Sequence, residues 1–271
     1  MNRQTNAPQQ PYTEQIKPMF IGLNDNGIFA CHHLANNHLA YKGAVVICQP
    51  LGHEYERCHR GLKQFASMLA KIGFDVLRFD YRGSGDSAGD FQQGHFALWQ
   101  QDINRAIDFF KQHLGVQNVA LAGLRLGASL LFNAAVERQD INGLCLWSPC
   151  LSGAELLQEW QDIQQQHTQT LGYTNSPDKL LEVMGFPISE HFTADLEQLN
   201  LTPQKIVDGY HKPICVVTEL NQLWQQTDAT TSSMTLISAH SSNIWRQQAM
   251  QARVPMSLLK SMTQWLEGVA G

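Results

Sequence analysis

The chain has 271 residues, 43% of them hydrophobic and 16% charged, with a formal net charge of -5. That length and apolar content suit a large domain with an insertion, and the charged share lies below the ~25% usual for soluble domains. The negative balance, without a long basic run, argues against nucleic acid as the main partner, and no stretch reaches the ~18 apolar residues of a membrane span.

Residues 1–15 are polar and rich in Asn, Gln and Pro, so a disordered tail is expected there and not a secretory leader. Segments 19–22 and 27–32 flank Leu23-Asn24-Asp25-Asn26 and predict a hairpin. Residues 44–48 form a continuous apolar run, as in a strand buried on both faces. After Pro50-Leu51-Gly52-His53, the residues Leu62, Phe65, Ala66 and Leu69 recur at helical spacing over 54–71. Gly73 ends that helix, 75–79 is the next strand, and Asp80 to Ser87 is a glycine-containing loop.

A helix is expected over 96–114, a strand over 118–122, a helix over 126–138 and a strand over 143–147. The interval to the next strand, 213–218, reads as helical over 155–170, 178–184 and 190–199. A strand at 233–237 and a helix at 255–266 close the pattern, with Pro255 suited to a first helical position. Strands alternating with helices predict an α/β fold with a mostly parallel sheet covered on both faces. The expected division is a core of 16–150 and 206–271 with a helical cap insertion at 151–205. Six scattered cysteines read as buried reduced thiols of a cytoplasmic protein.

The stretch Gly123-Leu124-Arg125-Leu126-Gly127 joins an apolar strand to a helix. It has the layout of a Gly-x-Ser-x-Gly nucleophile elbow, in which a tight turn holds one side chain above the sheet. Arg125 stands at the central position, and a guanidinium stays protonated and cannot attack a carbonyl. Arg125 would also stand at a helix N-terminus, where the dipole is already positive, so an anion must pair with it.

Pro50-Leu51-Gly52-His53-Glu54-Tyr55, Arg57-Cys58-His59-Arg60, Leu77 to Ser87 and the elbow together resemble the α/β-hydrolase superfamily. Within it the chain is similar to the serine-aminopeptidase-like (hydrolase-4 type) proteins. The subgroup it resembles accompanies exosortase-linked exopolysaccharide systems and secondary-metabolite clusters, and carries Gly-Leu-Arg-Leu-Gly at the elbow. The resemblance covers roughly 43–160 well and implies the α/β-hydrolase fold. By analogy it implies hydrolysis of esters, thioesters or peptides.

The resemblance further implies a catalytic order of nucleophile, acid and histidine. Arg125 takes the first position, and His240, in Ser238-Ala239-His240-Ser241-Ser242, takes the last. Glu219 is the candidate acid, placed earlier than the family's usual aspartate; Ser148 occupies the alternative position. The oxyanion donors would be the backbone N–H of Leu126 and one from Leu51 or Gly52. Three roles stay open for Arg125: a structural one, tied to an internal acid such as Glu219; binding of a ligand anion, with His240 activating water; or a neighbouring place to another nucleophile.

Cys58, near His53 and His59, is a weaker candidate nucleophile. His53 and His59 lie six apart, which is not the spacing of a zinc His-Glu-x-x-His helix. Ser129, Ser84 and Ser87 read as structural, and Asp80 and Arg82 as loop-fixing residues. Gly83, Gly85 and Gly89 lack dinucleotide-loop spacing. No metal or cofactor is expected.

Two functions therefore compete. One is an acyl hydrolase, thioesterase or acyl-transfer enzyme acting on a small or carrier-bound substrate. The other is a catalytically inactive pseudo-hydrolase that binds an acylated or anionic ligand or a biosynthetic partner.

Overall fold

The computed structural model describes residues 12–22, 26–171, 181–219, 222–227, 234–239, 243–247 and 253–270. Among the described residues ten strands run in chain order as β1 (Ile16–Ile21), β2 (Ile28–His33), β3 (Gly43–Cys48), β4 (Phe74–Phe79), β5 (Val119–Leu124), β6 (Ile141–Trp147), β7 (Glu182–Val183), β8 (Phe186–Pro187), β9 (Ile214–Thr218) and β10 (Met234–Ser238). The helices are α1 (His53–Lys71), α2 (Phe96–Asp108), α3 (Leu126–Val136), α4 (Gly153–Leu171), α5 (Glu190–Gln198), α6 (Pro203–Gly209), α7 (Gln222–Gln225) and α8 (Met256–Ala270).

Eight strands form one sheet in the order β1-β2-β4-β3-β5-β6-β9-β10. The β1–β2 hairpin is antiparallel, as is the β2–β4 pair, and every other neighbour is parallel. β3 explains why its sequence is uniformly apolar. Val45 and Ile47 pack on one face of the sheet while Ala44, Val46 and Cys48 pack on the other, so no position meets water. The expected α/β fold with a mostly parallel sheet is the one observed.

The loop after β4 is fixed by buried charge at two residues. The Arg82 Nε–Asp102 Oδ1 bond is 2.7 Å, and the Arg82 backbone N–H donates to Asp102 Oδ2 at 2.9 Å. Asp80 accepts from Gln49 Nε2, Tyr55 Oη and the Asp86 N–H. Both residues are buried and hold the loop after β4 in shape.

Three local expectations change. The helix over 96–114 ends as α2 at Asp108 and continues as a π turn over Phe109–His113. The wider turn lets Phe109 and Phe110 both meet the His32 ring edge-on, at 5.8 and 5.6 Å. Residues 181–188 are not the end of a helix but the β7–β8 hairpin. Its central Met184 and Gly185 both have positive φ, 51° and 90°, as a two-residue type I′ turn requires. The rest of the expected 178–184 helix lies outside the described residues. Finally, residues 12–15 continue the β1 side of the sheet: the Leu34 N–H donates to the Gln15 carbonyl, and Glu14 pairs with His33.

The segment between β6 and β9 carries α4, the small hairpin, α5 and α6. It packs onto the core through aromatic rings. Phe192 meets Trp99 edge-on at 4.9 Å and Trp160 at 6.1 Å, and Phe186 meets Phe91 at 5.2 Å. Trp99 and Trp160 are fully buried. Of the six cysteines, Cys31 is partly exposed and the other five are buried and free. No described helix is long and apolar enough to cross a membrane.

Candidate functional site

β5 delivers residue 125 to the carboxyl edge of the sheet, and α3 starts at the next residue. Arg125 has φ 56° and ψ -129°, a left-handed conformation that costs a side-chain-bearing residue on the order of 1–3 kcal/mol. Neighbouring strand ends show the same feature. Gly52 after β3 has φ 60° and Ser148 after β6 has φ 45°. Strain is thus concentrated at the edge where this sheet presents its loops.

The flanking glycines are set by space. A methyl on Gly127 would overlap the Gln49 carbonyl oxygen and come within 2.7 Å of that of Cys48. A methyl on Gly123 would overlap Leu131 and approach the Ala128 Cα to 2.9 Å. Because backbone is struck at Gly127, Gly127→Ala is expected to lose about 1–3 kcal/mol, read as a lower urea midpoint at unchanged m. A midpoint equal to the wild type would contradict this packing of the elbow against β3. Gly52 differs: a methyl there has 3.8 Å to Phe91 and Trp160, so its backbone angle and not crowding favours glycine.

The Arg125 side chain is only 11% exposed and is held by carboxylates from two directions. Its Nε donates to Glu54 Oε1 at 3.1 Å, and its Nη2 lies 3.0 Å from the same oxygen. Nη2 also donates to Glu159 Oε2 at 2.7 Å. The guanidinium carbon stands 5.0 Å from the centroid of Trp245. Glu159 Oε1 accepts from Arg246 Nε at 3.0 Å. Glu54, fully buried in the first turn of α1, also accepts from Trp160 Nε1 at 3.3 Å.

Four elements are therefore tied together: α1 by Glu54, the elbow by Arg125, α4 by Glu159, and the turn before α8 by Arg246. Two arginines and two glutamates give a charge-balanced set. Burial by itself works against the Arg125 charge, but the anions around it, Glu54 and Glu159 among them, reverse that and hold the proton more tightly than usual. Burial raises Glu54, and Arg125 only partly offsets it. Burial also pulls Glu159 upward, yet Arg125 and Arg246 together keep its carboxyl below the usual range.

The expected partner of Arg125 is corrected by this geometry. Among the described residues, the carboxylates at ion-pair distance from Arg125 are Glu54 and Glu159. Glu219 is exposed at the end of β9 and accepts from Asn243 Nδ2 at 3.3 Å. The reason is position: α1 starts directly after the β3 loop and puts Glu54 beside the elbow, whereas β9 ends two strands away. His240 lies outside the described residues. Ala239, just before it, is buried, and its N–H donates to the Thr218 carbonyl.

Leu51, Gly52 and Leu126 are all buried at the elbow edge, and a methyl on Gly52 would point at Phe91, Trp160 and Phe186. Cys58 is buried within α1, and burial lifts its thiol well above the usual range, which disfavours the thiolate a nucleophile needs. Ser129 donates to the Cys150 carbonyl at 2.7 Å. Cys150 is itself buried, and burial pushes its thiol up to about 12.

Residues 40–267 match the family described as serine aminopeptidase, S33. The chain belongs to this family. It is 32% identical over 79 residues to an uncharacterized 31.7 kDa protein in the traX-finO intergenic region of Escherichia coli. That match covers 28% of each, so it spans just over a quarter of the relative's length. Among solved structures the chain is similar to Est1E from Butyrivibrio proteoclasticus, at 17% identity and TM-score 0.63, covering 93% of this chain and 98% of that one. It is also similar to the Pyrococcus furiosus esterase Pf2001, at 14% identity and TM-score 0.63, covering 97% and 96%. Proline iminopeptidase from Mycobacterium smegmatis follows at 13% identity and TM-score 0.60, covering 94% and 99%. At these identities the structural likenesses speak for the fold. Within the family fold, this chain places an ion-paired arginine at the elbow.

Proposed function

We propose that this chain is a hydrolase-fold binding protein that receives an acylated small molecule or acylated carrier without attacking it from the elbow. The observation that carries this reading is the closed set of Arg125, Glu54, Glu159 and Arg246. A guanidinium neutralised by two carboxylates has no lone pair to attack with, and its charge is already answered. A ligand anion would have to displace Glu159, since Glu54 is sealed inside. Trp160, Leu51 and Leu126 are fully buried beneath the insertion, so recognition in this reading requires the insertion to move, after which the backbone N–H groups of Leu51, Gly52 and Leu126 donate to an acyl carbonyl. The segment 151–205 acts in this reading as a cap over that edge of the sheet.

A second reading keeps catalysis. Family membership and the glycine turn at Gly52 favour it. In it, His240 is the general base for a water, Glu219 orients His240, and the oxyanion donors are the same three residues.

Turnover of p-nitrophenyl butyrate and butyryl-CoA by the wild type and by His240→Ala separates the two readings. Expected are saturable calorimetric binding of the thioester and no turnover that depends on His240. Hydrolysis abolished by His240→Ala would establish the second reading instead. Serine-directed fluorophosphonates are expected to leave residues 123–127 unlabelled; a labelled elbow peptide would overturn both.

A further inference from the structure

Away from the elbow, the fold gathers His95, His191 and Asp195. We propose that these three side chains form a binding site for a divalent transition metal of the zinc class, joining the insertion to the core. His95 precedes α2 as its N-cap, in extended conformation, while His191 and Asp195 lie four apart on α5 and so share one helix face. One donor atom from each residue lies within 4.8 Å of the other two. The two imidazoles are stacked, with centroids 4.4 Å apart and planes at 13°.

The donor set is two imidazoles and one carboxylate, which suits zinc, cobalt or nickel better than magnesium or calcium. Tetrahedral coordination at about 2.1 Å places donors roughly 3.4 Å apart, so closure takes movement on the order of 1 Å. His191 is exposed and free to supply it by ring rotation, and His95 and Asp195 are partly buried and better fixed. Asp195 Oδ2 accepts the Phe96 N–H at 2.6 Å, an outer bond that orients the carboxylate and leaves its second oxygen for the metal. His95 Nδ1 accepts the Leu98 N–H at a long 3.3 Å. Coordination through either ring nitrogen gives up that cap bond, because a ring bound through Nε2 carries its proton on Nδ1. Three protein ligands leave a fourth position for water or an exogenous group.

The site is independent of any acyl ligand, so its test is too. The full chain, stripped with a chelator, is titrated with Zn2+ by calorimetry and with Co2+ by visible absorption. The wild type is expected to bind one ion, and His191→Ala and Asp195→Asn to weaken it at least tenfold. His95→Asn, which keeps a good N-cap residue, should do the same. Metal-free melting midpoints of His191→Ala and the wild type are expected to agree, since the side chain is exposed. Zn2+ should slow amide exchange in α5 of the wild type and not of His191→Ala. Absence of saturable binding below millimolar metal overturns the proposal, as does affinity unchanged in His191→Ala and His95→Asn, which would put the ion on other histidines. Unaltered exchange in α5 on saturation overturns the joining role.

Discussion

Glu54→Ala is expected to cost about 3–5 kcal/mol, the usual penalty for stripping one partner from a buried ion pair. In a chain of this size that corresponds to a melting midpoint lower by on the order of 10 °C. Glu54 is fully buried, and its removal leaves Arg125 with Glu159 alone and the Trp160 indole N–H without its acceptor. Arg125→Ala is expected to cost less. A carboxylate left without its cation takes up a proton and becomes neutral, a route that burial already favours for Glu54. A guanidinium left without its anion has no such route. The pair Glu54→Leu with Arg125→Met should recover most of the loss, because removing both charges also removes their desolvation cost. Thermal unfolding of the four proteins by circular dichroism decides the matter. A Glu54→Ala midpoint within a degree or two of the wild type, or a larger loss for Arg125→Ala, would show that the ion set does not hold the elbow.

Much of the frame can be read from residue order alone. Runs such as β3 announce a doubly covered strand because no position on them tolerates water, and the amphipathic spacing of Leu62, Phe65, Ala66 and Leu69 marks one side of α1. The elbow is legible because Gly127 answers to a steric demand that any side chain violates. The partners of Arg125 are not legible in the same way. Glu54 in a first helical turn reads as a solvated charge that complements the helix dipole, and its burial depends on Trp160 arriving from the insertion. A signal for Glu159 does exist: it lies between Leu156 and Trp160 on α4, three and one residues from buried positions, so a carboxylate borders an inward face. The β7–β8 hairpin was concealed by Leu180, Leu181 and Met184, whose spacing suits a helix; Gly185 was the contrary sign. The His95–His191–Asp195 group joins residues far apart in the chain, and only the docking of α5 on α2 brings them together.

Stability is expected to fall steeply as pH drops from neutrality towards 4, and two buried imidazoles set the direction. His33 and His53 are each held down to about 4 from an ordinary 6.5, in both cases chiefly by burial. At His33 the geometry fixes the neutral ring: Arg78 Nε donates to Nε2 at 3.1 Å, so the proton sits on Nδ1 and faces Glu14 at 3.0 Å. At His53 the charges of Arg57 and Arg125 add to burial against Glu159, and its Nε2 is buried among the described residues without a partner. Between pH 4 and 6.5 the unfolded chain binds protons that the folded chain refuses. Stability therefore rises with pH through that window and is fully present above it, by at most on the order of 3 kcal/mol per imidazole. Glu54 works in the opposite sense. Its folded value is raised, so its contribution declines as pH climbs above 4.5 and blunts the rise. Urea unfolding at several pH values across the window measures the slope. His53→Phe keeps an aromatic ring against Trp160 and removes one titrating group, so it should flatten the wild-type slope without abolishing it, His33, His59 and His95 being held down as well. A wild-type stability that is flat across the window, or a slope that His53→Phe leaves intact, would mean that the ring beside the elbow is hydrated and titrates like one in water.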